Sequence, residues 1–456
     1  MDTGLLSLVW PGTGMDTLLA DEAWVEAMLS VEVALARTQA RLGVIPSDAV
    51  GPIASAAKSA RVDVAGLAVR ARGSANPVVE LVGEFTAAVA EIDAGAAEYV
   101  HRGSTSQDVL DSATMLLAAR ALRQTDADLC RVANALARLA DEHRRTPMAA
   151  RTLTQQAVPT TFGLKAAGWL TLVLDALERV RRVALPVQLG GAAGTLAAYL
   201  EYARAAGVPV EGHALALTEG VAAELGLPAP AAPWHTQRTP VLDLGWVCVA
   251  VTGALGKVGV DVLGAGRTEV GEVAEPSGER SGQSSAMPQK RNPVLATLLV
   301  SAARQAPAYA AMLAQSMLAE DERSPGGWQS EWQPLRESLR LAGGAAHTAA
   351  ELTEGLRVFP SRLAQNLALG GGTIVAERLN VALAPILGKA AAKSLLGRIA
   401  ARAAAGEGGF ADLLRTTPEL EDALGDTLDE LLDPANYLGA ADELVDQVLA
   451  RKATLA

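Results

Sequence analysis

Aromatic side chains make up only 4% of this 456-residue chain, and cysteine occurs twice. A core short of rings and rich in alanine, leucine and valine suits tightly packed helices better than a sandwich or barrel. Basic residues are also short: 39 Lys and Arg stand against 51 Asp and Glu, a formal charge of −12. That deficit argues against a general nucleic-acid binder, which needs a basic surface. It leaves room for an anionic small substrate, because a local basic pocket can sit in an acidic surface. Cys130 and Cys248 have no CxxC or Cys/His neighbour, so both are expected to be reduced, buried thiols of a cytoplasmic protein. No basic residue precedes Arg37, so no secretory signal is expected. Pro186, Gln188 and three glycines interrupt the longest uncharged run, Val183 to Leu200, so no membrane span is expected there. Alternating strand patterns and 20–50-residue repeats are absent as well.

What remains is helix. Apolar residues recur at helical spacing over 16–42, 50–72, 78–97, 109–144, 160–185, 239–270, 294–317 and 331–355. Shorter helices follow Pro360. The chain reads as all-α with three helical parts: about 1–100, a middle of very long helices over 101–355, and a small domain over 356–456. Helices this long with apolar residues on several sides must be buried on more than one face. A bundle shared between copies of the chain would do that, so a homo-oligomer is expected.

Polar loops punctuate these helices. The most distinctive is residues 279–293, ERSGQSSAMPQKRNP. Two prolines and small polar residues stop helix there. Ser284 and Ser285 are followed by Lys290 and Asn292, six and eight residues past Ser284. This places a candidate base near a cation and a neutral donor. Others are 101–108 (HRGSTSQD), 151–156 (RTLTQQ) and 234–238 (WHTQR). Gln188 to Thr195 is glycine-rich, but no strand precedes it and no Gly-Lys-Ser/Thr closes it, so it is not read as a phosphate loop.

Together these stretches resemble the fumarase/aspartase superfamily. Residues 284–293 are similar to its signature Ser-Ser-x-Met-Pro-x-Lys-x-Asn-Pro, with Gln283 in place of the usual leading glycine. His101–Asp108 and Arg151–Gly163 resemble its first and second conserved regions. The branch most similar is 3-carboxy-cis,cis-muconate cycloisomerase, through Gly4–Ser7, Gly73–Val79, Thr105–Asp111, Gln155–Ala157 and Trp234–Arg238. The resemblance implies a mostly helical homotetramer with a multi-helix bundle at its centre, sites drawing loops from three subunits, and no metal or organic cofactor. It implies a small anionic di- or tricarboxylate as substrate and removal of a proton alpha to a carboxylate.

On that footing Ser284 is the expected base, activated by nearby positive charge, and Lys290 and Asn292 hold the aci-carboxylate. Thr105, Ser106 and Gln107, at a loop–helix junction, suit a second carboxylate. Thr154, Gln155, Ser285 and Met287 are expected at the substrate, and Arg238 and Arg323 are the arginines expected to pair with carboxylates. His101 is either a substrate-facing donor or a structural histidine, and His235 leans structural. Three departures bear on the substrate. Leu153 stands where other branches carry a histidine. Gln289 and Gln329 stand where the cycloisomerase branch usually has histidines. Thr239-Pro240 follows Gln237-Arg238. A site poor in histidine fits a leaving group that departs as a stable anion. Elimination of nitrite from nitrosuccinate is therefore the leading expectation, the muconate cycloisomerisation is the second, and adenylosuccinate- or argininosuccinate-type cleavage or an inactive homologue come after.

Overall fold

The computed structural model describes residues 4–276, Gly282, Met287, 290–425 and 427–455. Helix dominates, as the apolar spacing required. The long helices are Asp21–Arg41, Ser106–Glu142, Phe162–Arg182, Thr239–Ala265, Val294–Gln315 and Gly327–Glu354. The expected first helix is broken at Leu19 and Ala20, which separate Met15–Leu18 from Asp21–Arg41. The chain forms two compact units, each assembled from three separated stretches.

The first unit comprises Met1–Asp128, Ala176–Gly253 and Ser301–Thr348. Within it the Asp21–Arg41 helix packs on Val50–Ser59 and on His213–Leu225. Ala34, Leu35, Leu189, Leu196, Tyr199, Leu217 and Val221 form one buried cluster. The close approach of 213–225 to 21–41 depends on Gly220, where a Cβ would collide with the Thr38 side chain. Trp10, only 1% exposed, lies under the guanidinium of Arg340 at 4.2 Å.

The second unit comprises Leu129–Asp175, Ala254–Val300 and Ala349–Ala456. The Ala376–Leu387 and Lys389–Ala404 helices pack together. Their Leu379, Leu383, Leu395, Leu396 and Ile399 meet Phe410, Leu414 and Leu420 in a second core.

Another expectation fails at the hairpin. Residues 147–161 form a β-hairpin, Pro147–Thr152 paired antiparallel with Gln155–Thr161. The segment lacks clean alternation, contains Pro159 and turns through Leu153-Thr154 rather than Asn-Gly, so local signals hide it. Both turn residues take positive φ, 50° and 70°, the two-residue hairpin geometry that glycine normally supplies. The Pro360–Ala368 helix packs against its first strand. Among the described residues the only other strand pair is Val273–Ala274 with Arg357–Val358.

The Thr239–Ala265 helix is long and apolar enough to cross a membrane by length and composition, and 56% of its apolar window is buried inside the fold.

Candidate active site

The Ser106–Glu142 helix organises the polar interior of the first unit. Its first turn is held by a reciprocal cap: the Asp108 carboxylate accepts from the Thr105 backbone N–H at 3.3 Å, and the Asp108 N–H donates to the Thr105 carbonyl at 3.0 Å. Asp108 is fully buried and takes four further donors: Gly190 N at 2.8 Å, Gly191 N at 3.0 Å, the Tyr199 hydroxyl at 3.0 Å and His235 Nε2 at 2.8 Å. The glycine-rich 188–195 stretch is thus a partner for a buried carboxylate, not a phosphate cradle. Burial raises the Tyr199 phenol well above its usual range, and the Asp108 charge adds to the effect.

Because the cap is made by Asp108, the two hydroxyls at this terminus serve other partners. Thr105 Oγ1 accepts from Arg323 Nη2 at 3.1 Å, and Ser106 Oγ accepts from Asn76 Nδ2 at 2.6 Å. Arg323 also donates from Nε to Gln107 Oε1 at 3.0 Å and from Nη2 to the Ala192 carbonyl at 3.3 Å. Among the described residues its Nη1 makes no hydrogen bond. A half-buried guanidinium beside two hydroxyls and a helix N-terminus is an anion receptor in chemical terms.

Behind it lies a buried ion triad. Arg238, 2% exposed, donates from Nη1 to Asp111 at 2.7 Å and from Nη2 to Glu331 at 2.6 Å. Its Nε also faces Glu331, and Nη1 reaches the Trp234 carbonyl. Burial would lower its pKa, but the Asp111 and Glu331 charges outweigh that and raise it. Gln107 joins triad to receptor, donating from Nε2 to Asp111 at 3.2 Å and to the His235 carbonyl at 2.9 Å.

His101 sits just upstream with a left-handed backbone, φ 56°. Its Nδ1 lies 2.6 Å from Glu32 Oε1, and its backbone N–H donates to Glu32 Oε2 at 3.1 Å. Burial works to lower the His101 pKa; the hydrogen bond and charge of Glu32, with the Asp108 charge, overcome it and the net shift is upward. Gly103 lets this loop press on Tyr199, since a Cβ there would lie 2.8 Å from the ring.

In the second unit, Thr154 and Gln155 stand exposed at the hairpin tip. Arg151, at the base of the tip, makes a two-pronged contact with buried Glu272 at 2.9 and 2.6 Å. Asn366 Nδ2 donates to the same carboxylate at 2.9 Å, and Gln156 donates to the Asn366 carbonyl. The hairpin is therefore braced from below while its tip remains exposed. Lys290 is exposed and Asn292 half-buried; the Asn292 N–H donates to the Gly282 carbonyl at 2.7 Å. Glu275 accepts from Leu295 and Ala296 N–H groups, anchoring the start of the following helix. Met287 is exposed. Ser284, Ser285 and Gln289 lie outside the described residues. Among the described residues no group of three or more His, Cys, Asp or Glu side chains is placed to hold a metal ion.

A profile of a lyase family matches residues 15–307, and one of the adenylosuccinate lyase C-terminus matches residues 372–448. The chain belongs to the lyase family of the fumarase/aspartase superfamily. Nitrosuccinate lyase of Streptomyces davaonensis is 55% identical to it over 452 residues, covering 98% of this chain and 95% of that one. The 3-carboxy-cis,cis-muconate cycloisomerase of Bradyrhizobium diazoefficiens is 40% identical over 456 residues, covering 98% and 99%. The crystal structure of the 3-carboxy-cis,cis-muconate lactonizing enzyme from Pseudomonas putida matches with a TM-score of 0.91 at 35% identity, covering 99% of both chains.

In this lyase the sequence-derived residues fall into distinct groups. Thr105, Ser106, Gln107, Arg238, Arg323 and His101 share the first unit; the contacts above tie Thr105, Gln107 and Arg323 to one another and, through Asp111, to Arg238, while Ser106 meets Asn76 and His101 meets Glu32. Thr154, Gln155, Met287, Lys290 and Asn292 lie on the second unit. Gln107 and Arg238 spend their polar groups on protein partners; neither has a donor left over for a carboxylate. Sequence reading passed over Glu32, Glu272, Glu331 and Asn366. Glu32 had a usable signal, as a lone charge between Val31 and Val33 in an apolar helix stretch.

Proposed function

We propose that this lyase eliminates nitrite from nitrosuccinate to give fumarate. A base takes the proton alpha to the carboxylate on the carbon next to the nitro-bearing one. The C–H pair becomes the new double bond, and the C–N pair leaves with nitrite. The observation that carries this reading is the 55% identity to a nitrosuccinate lyase over 98% of the chain. A second supports it: Leu153, where other branches place a histidine, is 95% exposed at a hairpin turn. No imidazole stands there to protonate a leaving group, and nitrite needs none.

In this reading Ser284 is the base, and Lys290 and Asn292 receive the aci-carboxylate charge as it forms. Arg323 with Thr105 and Ser106 holds the second carboxylate at the Ser106–Glu142 helix N-terminus. Thr154, Gln155, Ser285 and Met287 approach the substrate from the hairpin and the signature loop, and His101 is a further donor near the Thr105 loop. These segments come together from different copies of the chain in a cytoplasmic homotetramer that uses no cofactor. The alternative, 3-carboxy-cis,cis-muconate cycloisomerase, is favoured by the relatives of that name.

Incubation with nitrosuccinate should release fumarate, followed by its absorbance, and nitrite, followed by a colorimetric assay, in equal amounts. Consumption of 3-carboxymuconate without nitrite release from nitrosuccinate would favour the alternative.

A further inference from the structure

We infer that Gln107 and Asp111 are positioning residues that set the direction of the Arg323 guanidinium and, through it, the affinity for a substrate carboxylate; this rests on the reading of Arg323 as a carboxylate-binding group. Arg323 lies on the connection between the Val294–Gln315 and Gly327–Glu354 helices, where Asp321 and Gly326 take positive φ. A long side chain on such a connection loses rotamer freedom whenever a ligand immobilises it, and that loss weakens binding unless the protein has imposed it already.

Here it is imposed. Gln107 is fully buried, so it cannot itself touch a ligand. The orientation of its amide is decided by its neighbours. Nε2 faces Asp111 Oδ2 at 3.2 Å and the His235 carbonyl at 2.9 Å, both acceptors only. Oε1 is left to receive Arg323 Nε at 3.0 Å. Asp111 is immobile for the same kind of reason: Arg238 Nη1 and Nη2, Trp328 Nε1 and Gln107 Nε2 all donate to it. Glu331 in turn holds Arg238. The chain Glu331–Arg238–Asp111–Gln107–Arg323 thus alternates acceptor and donor without a break. Within this chain of contacts two carboxylates and two guanidiniums balance in charge. Such an arrangement supports ground state and transition state alike, and its loss should appear in KM rather than kcat.

The test compares Gln107→Met, Arg323→Gln and the double variant of the full-length protein, with nitrosuccinate as substrate and fumarate binding read separately by calorimetry. Gln107→Met should raise KM about tenfold with kcat within about threefold, and weaken fumarate in parallel. Arg323→Gln should do the same or more, and the double variant should be no worse than Arg323→Gln alone. Asp111→Asn, isosteric, sets an NH2 group against a donor in either orientation of the new amide, Gln107 Nε2 on one side or Trp328 Nε1 and Arg238 Nη2 on the other, and so loosens the hold on Gln107 with the same KM effect; it is the second probe if Gln107→Met does not fold. An unchanged KM in Gln107→Met or Asp111→Asn beside a raised KM in Arg323→Gln overturns the positioning role and leaves the carboxylate reading standing. A Gln107→Met effect that persists in full on the Arg323→Gln background also overturns it. Unchanged fumarate affinity in Arg323→Gln sinks the carboxylate reading itself, independently of which group leaves.

Discussion

Replacing Arg238 by methionine removes the only cation from a buried cluster and leaves Asp111 and Glu331 facing one another. Six hydrogen bonds go with it, five to carboxylate oxygens and one to the Trp234 carbonyl. Asp111, Arg238 and Glu331 are each at most 3% exposed, so water cannot replace the lost charge. Breaking a buried pair by removing one partner costs about 3–5 kcal/mol. At an unfolding entropy of about 2.1 cal/mol/K per residue, that is a fall in Tm of about 3–5 °C for a chain of this size. The loss must depend on pH, and its sign follows from burial. Burial already holds the Glu331 pKa above its ordinary value with Arg238 beside it, and removing that cation raises it further. Glu331 is then neutral in acid and unfavourably charged above it, so the variant loses more stability relative to the parent as pH rises. Melting curves of parent and Arg238→Met from pH 5 to pH 8, followed by circular dichroism, read this directly. Replacing all three members by apolar residues of similar size should recover much of the loss, since a buried triad is worth little over good packing. A Tm within about 1 °C of the parent at every pH would refute the reasoning.

Other outcomes follow from single contacts. The pKa of His101 is raised by Glu32 and Asp108 against burial, so its contribution to stability is whole below the unfolded value near 6.5 and is lost as pH rises through the folded value; His101→Gln should flatten that part of the stability–pH curve. Thr154 holds φ 70°, and Thr154→Gly should raise stability by about 1 kcal/mol through relief of a left-handed backbone, read as a higher urea midpoint. Ser284→Ala should lower kcat by roughly a hundredfold to ten-thousandfold if Ser284 is the base, with fumarate affinity retained; an unchanged kcat would remove it from the mechanism.

The long helices were legible because their signal is local. Apolar residues repeating every three to four positions, bounded by Gly and Pro, specify helix wherever the segment ends up. Within them the burial of Cys248, whose thiol is pushed up to about 12 by desolvation, follows from the same periodicity. The 147–161 hairpin was hidden because strand pairing depends on a partner, and Leu153-Thr154 carries no turn signature. The polar loops were legible in their residue types, but which side chains pair within the fold was not. Arg238 and Arg323 are both arginines beside polar loops, and both looked fit for a carboxylate.

The sequence by itself determined the helical class and the family resemblance, since these rest on composition, period and order along the chain. Only the tertiary structure decided that Arg238 is consumed by Asp111 and Glu331 while Arg323 keeps Nη1 free of hydrogen bonds among the described residues. Residues 111, 238 and 331 are far apart in the chain and meet only once the helices pack. The desolvation that obliges a buried cation to find carboxylates exists only in that packed state.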